Sequence, residues 1–317
     1  MKFTRGSEQH EVRKNAPDAF YKIRELQSQK PMLVTGGGIL VAAVVLVMFT
    51  GLFLALGPKL GWVGGYQPLW VELAALGVTF IGFGILGFYD DVIKIFGYAK
   101  TGFFGLRMRH KLLLQIVLGT ITALLLWQGL GIDLINVPLV GMVHLGWWYL
   151  PFAAFLIVGF ANAFDITDGL DGLSCGLLMI CLVAFWLISA RALDHVLTVF
   201  IAVWLGSLLA YLYFNTYPAR IMLGNVGGLA FGATLAVVGL LSGKMVAMMI
   251  VAGVFLAEGT SSLLQLFSKK FMKKRIFPIA PFHHWLQLVG WEEPKIVARA
   301  WMVGLVLAIF GVWLAVL

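Results

Sequence analysis

Nine runs of apolar residues, each about the 20 residues a bilayer-spanning helix needs, take up most of this chain. They lie near 32–56, 69–88, 111–130, 147–164, 170–189, 195–214, 226–241, 244–266 and 296–317, and the seventh is short and glycine-rich. Inside hydrocarbon, backbone N–H and C=O groups must pair within their own segment, which leaves helices or closed barrels as the ways to cross. Runs of this length exclude the barrel, so the expected fold class is all-α, a polytopic membrane helix bundle. Composition agrees: 61% of residues are hydrophobic and 12% charged, against about 25% charged in a soluble domain. One integral-membrane domain is expected over 32–317, preceded by a polar cytoplasmic segment over 1–31 with no cleavable leader. Cys175 and Cys181 fall in one apolar run and read as core residues, not as a disulfide or metal site.

Lys and Arg set the orientation. With a cytoplasmic N-terminus, 20 of the 23 fall in inner segments or at their helix edges, and Lys59, Arg191 and Lys244 remain outside. Nine spans then put the C-terminus outside. The runs "RMRHK" (107–111) and "KKFMKKR" (269–275) read as lipid-headgroup contacts, not as a nucleic-acid surface.

In that topology the polar clusters converge on the cytoplasmic side. "FYDDVIKI" (88–95) places Asp90 and Asp91 at a helix exit, with Lys94 one turn on. "NAFDITDGLDGLS" (162–174) carries Asp165, Asp168 and Asp171 between the fourth and fifth spans. Thr167 or Asp168 is expected to cap a helix starting near Leu170. One cap needs one carboxylate, and the others would repel each other. A divalent cation removes that repulsion, and Mg²⁺ commonly sits between one or two carboxylates and a substrate phosphate. The acidic cluster therefore points to Mg²⁺ and a phosphorylated substrate. Lys94, Lys111, Lys30 and Arg275 could neutralise phosphate oxygens. "GNVGG" (224–228) offers N–H groups at the start of a span. His283 and His284 are adjacent, about 100° apart on a helix, which argues against both binding one metal. Glu258 lies in the eighth run toward its cytoplasmic end, whereas Glu72, Asp133, His144 and Asp194 are scattered outside.

Taken in order, "LGFYDDVIK", "RHKLLLQ", "NAFDITDGLDGLS", "FNTYPA", "GNVGGLAFG", "VFLAEGTSSLLQ", "KRIFPIAPFHHW" and "GWEEPKIVARAW" resemble the phospho-N-acetylmuramoyl-pentapeptide transferases, members of the polyprenyl-phosphate N-acetylhexosamine-1-phosphate transferase superfamily. "EVRKNAP" with "VTGGGIL" resembles that family's N-terminal segment, and the likeness runs from about Gln9 to the C-terminus. The family has ten spans, so its first is expected to be missing here.

The resemblance implies a reaction: phospho-N-acetylmuramoyl-pentapeptide passes from its UDP derivative to undecaprenyl phosphate, UMP leaves, and lipid I forms in the bacterial inner membrane. It implies Mg²⁺ as cofactor and allows a homodimer. By motif position Asp90, Asp91 and Asp168 are the catalytic carboxylates, with Asp90 the candidate base, and Lys111 contacts phosphate. Lys30, Asn162, Gly169, Leu170, Asp171 and Asn215 line the nucleotide site, and His283 and His284 lie near the diphosphate or sugar. The chain departs from the family at four points. Asn225 stands where the family has a metal-ligand Asp, and Asp165 where it has Asn. His283-His284-Trp285 replaces a triple histidine, and Met222 replaces the aromatic ring that stacks on uracil. The expected metal set is therefore Asp168, with Asp165 supplying the missing charge and Asn225 a neutral oxygen at most. Two other readings compete: the same chemistry on another UDP-N-acetylhexosamine, and a non-catalytic transporter or scaffold.

Overall fold

The computed structural model describes residues 22–23, 33–57, 68–96, 106 and 108–317. Among these, eight helices are long and apolar enough to cross a membrane, and a bent pair makes a ninth span. The spanning helices are α1 (Gly37–Leu56), α2 (Leu69–Lys94), α3 (Met108–Gly129), α4 (Tyr149–Thr167), α5 (Leu173–Arg191), α6 (His195–Asn215) and α7 (Gly224–Leu241). The bent pair is α8 (Met245–Val251) with α9 (Gly253–Phe267), followed by the short α10 (Phe282–Leu288) and the last span α11 (Glu293–Val316). The protein is a polytopic all-α membrane protein, as its apolar runs imply.

The ninth span arises from a correction. The eighth run was expected as one helix over 244–266; it bends by 78° at Ala252. Breaking a helix frees backbone groups that hydrocarbon cannot satisfy. Here the freed Val251 carbonyl lies 3.6 Å from Cys181 Sγ, a weak donor on α5. The second run also continues further than expected, so Asp90 and Asp91 sit in the closing turns of α2 rather than beyond them.

Helix α7 is the axis of the bundle. It packs against α1, α2 and α4 and is the most buried span. Phe80 (α2), Phe200 and Trp204 (α6) and Phe231 (α7) interlock around it, with centroids 5.4–5.8 Å apart, mostly edge-to-face. Such pairs add about 0.5–1.5 kcal/mol each beyond the area they bury. Helices α1 and α11 instead turn Leu40, Val47, Leu54, Met302, Val306 and Ile309 outward. That face is stable against lipid tails.

Two small sheets join the helices. β1 (Val34–Thr35) pairs in parallel with β4 (Ile221–Met222), Val34 opposite Ile221, tying the start of α1 to the start of α7. At the other end β2 (Leu134–Val137) and β3 (Gly141–His144) form an antiparallel hairpin. Next to the first sheet, α2 and α7 touch backbone to backbone. A Cβ on Gly87 would lie 2.2 Å from the Asn225 carbonyl oxygen. Glycine at 87 lets one turn of α2, carrying Asp90 and Asp91, meet the start of α7.

Candidate active site

Asp90, 2% exposed, anchors the cluster. Its Oδ1 accepts from the Leu106 N–H at 2.8 Å. Its Oδ2 receives Lys94 Nζ at 3.1 Å, Lys111 Nζ at 3.3 Å and the Asn225 Nδ2–H at 2.6 Å. Both oxygens are therefore engaged, Oδ2 by two ammonium groups. Lys111 reaches across from α3 to Asp165 Oδ2 on α4, 3.1 Å away. One ammonium thus bridges carboxylates from two helices.

Asp91 is held differently. Its Oδ2 accepts from the main-chain N–H of Asn225 at 2.9 Å. The chain enters α7 through Gly224 at φ 78°, and a Cβ there would meet Asp91 Oδ2 at 2.9 Å. The expected anion site at "GNVGG" is thus real as a donor site, and its resident anion is Asp91.

Asp168 follows α4 in a tight turn, 168–172, that ends on Gly172 at φ 79°. The expected cap is corrected here. The next helix starts at Leu173 with no side-chain cap, and the Thr167 hydroxyl donates back to the Ala163 carbonyl at 2.7 Å. Leu170 lies within the turn, whose Leu173 N–H donates to the Leu170 carbonyl, and the helix begins only after Gly172 takes its left-handed conformation. Asp168 instead accepts from Ser174 Oγ at 2.5 Å. Burial, with Asp165, Asp171 and Asp91 nearby, pushes its carboxyl up to about 7, opposed by the Ser174 hydrogen bond. No Lys or Arg is paired with it in the salt bridges of the described residues.

The rest of the turn is braced by distant residues. Asp171 Oδ2 accepts from the Ala219 N–H at 3.0 Å, and the Asp171 N–H donates to Glu293 Oε1 at 2.6 Å. Gly172 donates to Asn215 Oδ1 at 3.1 Å and accepts from Trp301 Nε1 at 3.2 Å. Together Asp168, Gly169, Leu170, Asp171, Asn215, Met222 and Leu223 line one small pocket. A larger cavity, about 480 Å³, lies between α2 and α3 beside Trp70 and Leu124, lined by apolar groups and Gln128 without an ionisable side chain.

The structure thus gathers Asp90, Asp91, Lys111, Asp165 and Asn225 into one cluster, and Gly169, Leu170, Asp171 and Asn215 into one pocket beside Asp168. His283 Nε2 approaches Gly169. His284 points along its own helix, Nδ1 3.0 Å from Gln287 Oε1. Asn162 is engaged elsewhere: its Nδ2–H donates to Gln115 Oε1 and to the Val158 carbonyl, both at 2.7 Å. Arg275 is exposed, and Lys30 lies outside the described residues. Gln115, Glu258 and Glu293 were not among the expected site residues. A fully buried Gln and two buried acids were the available signals.

A family model described as glycosyl transferase family 4 matches residues 73–243, more than half of the chain. A phospho-N-acetylmuramoyl-pentapeptide-transferase of Oceanobacillus iheyensis is 35% identical, the alignment covering 93% of this chain and 88% of that one. The chain belongs to the phospho-N-acetylmuramoyl-pentapeptide transferase family. Proteins of the same name from Caldanaerobacter subterraneus (38% identical; 76% of this chain, 75% of that one) and Anaeromyxobacter (37%; 86% and 78%) are similar along most of their length. The matched segment 73–243 runs from α2 through α7 and contains every member of the carboxylate–lysine cluster. The chain is thus a transferase whose polar cluster sits at one end of its helix bundle.

Glu293, on α11, lies outside that segment yet holds the turn. Glu293→Ala strips a buried N–H of its acceptor, which costs about 1–3 kcal/mol. If the turn lines the nucleotide site as the family resemblance implies, substrate binding should weaken with kcat less affected, checked by titrating substrate against the variant. Glu293→Gln, which keeps an acceptor oxygen, should restore most of the affinity.

Proposed function

We propose that this chain transfers phospho-N-acetylmuramoyl-pentapeptide from its UDP derivative to undecaprenyl phosphate, releasing UMP and forming lipid I, at the cytoplasmic face of a bacterial inner membrane. The observation that carries this is the Asp168–Gly172 turn. It joins a small polar recess lined by Asp168, Asp171 and Asn215 to a cluster of fixed charges, in a chain of this family. One P–O bond forms, between a lipid phosphate oxygen and the sugar-bearing phosphorus. One breaks, from that phosphorus to the bridging oxygen, which leaves with UMP. Such transfers are mostly a matter of positioning and charge neutralisation. Lys111 supplies a fixed ammonium, and Asp90 and Asp165 fix Lys111. The turn, held in shape by Asn215 and Glu293, forms the wall against which the nucleotide is oriented.

Mg²⁺ fits the donor set. Asp168 is a half-buried carboxylate with like charges around it, and among the described residues no Lys or Arg is paired with it. Among the described residues no three His, Cys, Asp or Glu side chains converge as a ready-made metal cage. That suits a cation that keeps several waters and completes its shell with substrate phosphate. Asp168 and Asp91 would hold it, with Asp165 nearby. When bound, the ion would neutralise diphosphate charge. UMP release by the purified protein, dependent on both Mg²⁺ and undecaprenyl phosphate, tests the reading; UDP-N-acetylglucosamine as the better donor would sink it.

The exchange of Asp165 and Asn225 gives a sharper test. Asn225 now donates to Asp90 Oδ2 from 2.6 Å. Asn225→Asp alone replaces that donor by an oxygen facing Asp90, so turnover and melting temperature should both fall. Adding Asp165→Asn removes one negative charge and lets Lys111 turn toward Asp90 and residue 225. The double variant should therefore outperform Asn225→Asp, and equal activity of the two would refute compensation.

A further inference from the structure

Against Gly169 lies a buried carboxylate–imidazole pair. His283 opens α10 and is 1% exposed; Glu258, on α9, is 4% exposed. The His283 main-chain N–H donates to Glu258 Oε1 and Oε2, at 3.1 and 3.2 Å, and the ring nitrogen Nδ1 lies 3.1 Å from Glu258 Oε2. A carboxylate only accepts, so Nδ1 carries the hydrogen in this contact. The other ring nitrogen, Nε2, is buried without a partner. It faces the active-site turn closely enough that a Cβ on Gly169 would lie 2.4 Å from it. The helix carrying Glu258 is itself fixed to the segment before α10. Gln265, two turns on, takes the Ile276 and Phe277 N–H groups and donates to the Phe277 carbonyl. Both sides of the pair are thus rigidly mounted, and one atom is left pointing at the substrate turn.

We propose that Glu258 is a positioning residue that fixes His283 in its Nδ1–H form and presents Nε2 as a hydrogen-bond acceptor to a hydroxyl or amide N–H of the sugar on the bound nucleotide. Glu258 touches no substrate and acts through the ring. The second nitrogen's role is set by what the first one bonds. Glu258→Gln separates this from simple stapling. A glutamine has one acceptor oxygen for two donors, the main-chain N–H and Nδ1–H. Its amide N–H₂ then faces the ring, which moves the ring hydrogen to Nε2 and turns the acceptor into a donor. The ligand class rests on the sugar-nucleotide reading of the site; the ring's hydrogen-bonded form does not.

The test uses full-length protein in detergent, with UMP release read separately against the sugar nucleotide and undecaprenyl phosphate. Glu258→Gln should lower kcat/KM for the sugar nucleotide about 100-fold while the lipid KM and the melting temperature stay near wild type. Combined with His283→Ala it should add nothing to His283→Ala alone. Multiplying losses, wild-type kcat/KM in Glu258→Gln, or a change confined to the lipid KM each overturn the assignment. Should Glu258→Gln fail to fold, Gly169→Ala carries the test: its methyl would overlap the ring at Nε2 and displace it, which should match His283→Ala, and retained activity overturns the proposal. ¹⁵N spectra of the histidines, with His283→Ala for assignment, give a readout that needs no turnover. Wild type should show hydrogen on Nδ1 and a bare Nε2; hydrogen on Nε2 overturns the proposal. A wild type that releases no UMP but shows this ring form would sink the transferase reading and leave the positioning role of Glu258 standing.

Discussion

Asp168→Asn will reduce UMP release by about 10³-fold or more, in line with the loss of one preorganised charge-handling group in an active site, and it will do so without unfolding the protein. The amide keeps an oxygen for the Ser174 hydroxyl, which now donates to Asp168 Oδ1 at 2.5 Å. Its effect on stability has the opposite sign to its effect on activity. In the fold the Asp168 carboxyl ionises near 7, because it is buried with Asp165, Asp171 and Asp91 close by; in an unfolded chain it ionises near 4. Between those values the unfolded chain sheds a proton that the folded one keeps, so stability falls as pH rises, and the full penalty is present above about 7. The Asn variant lacks that penalty. With EDTA present it should melt above wild type at pH 8, and the gap should narrow as pH drops toward 4. Mg²⁺ should then raise the wild-type melting temperature and leave the variant's unchanged. A variant that melts lower than wild type at pH 8, or one that still gains from Mg²⁺, would contradict this account of the carboxylate.

Lys111→Ala will be damaging in both respects. The ammonium sits 3.3 Å from Asp90 Oδ2 and 3.1 Å from Asp165 Oδ2. Its removal leaves Asp165 without its cation and Asp90 with Lys94 alone. Breaking a buried pair costs roughly 3–5 kcal/mol, and the remaining Lys94 should keep the loss near the lower end. Thermal melting and UMP release both report it. Adding Asp165→Asn should recover melting temperature, since the orphaned charge disappears, while turnover stays low because the phosphate still lacks its cation. Recovery of turnover by the double change would show that Lys111 serves stability alone.

Much of this was legible before any coordinates. Run length and hydropathy locate the spans because the bilayer leaves so few alternatives. The spacing puts Lys94 one helical turn from Asp90, and the structure pairs the two at 3.1 Å, a partner the expected phosphate role had not given it. Contacts between distant positions were not legible. Glu258 with His283, Glu293 with the Asp171 N–H, and Gln115 with Asn162 join residues 25, 122 and 47 apart. No periodicity or local propensity encodes such a pairing. The break at Ala252 has no proline to announce it, and the cap expected at Thr167 failed because a hydroxyl at a helix end can serve its own helix as readily as the next one.

The manner in which Asp91 is held bears on how this site can drift over generations. Its partner at residue 225 is a main-chain N–H, 2.9 Å away, and every residue but proline supplies one. Residue 225 can therefore be exchanged while Asp91 keeps its orientation, provided that 224 remains a glycine able to hold φ 78°. The inheritance is of backbone shape, with the side chain at 225 free to be renegotiated against Asp165 across the cluster. Variation at 225 should accordingly be tolerated when a charge changes elsewhere in the same cluster, whereas variation at 224 has no such second-site remedy.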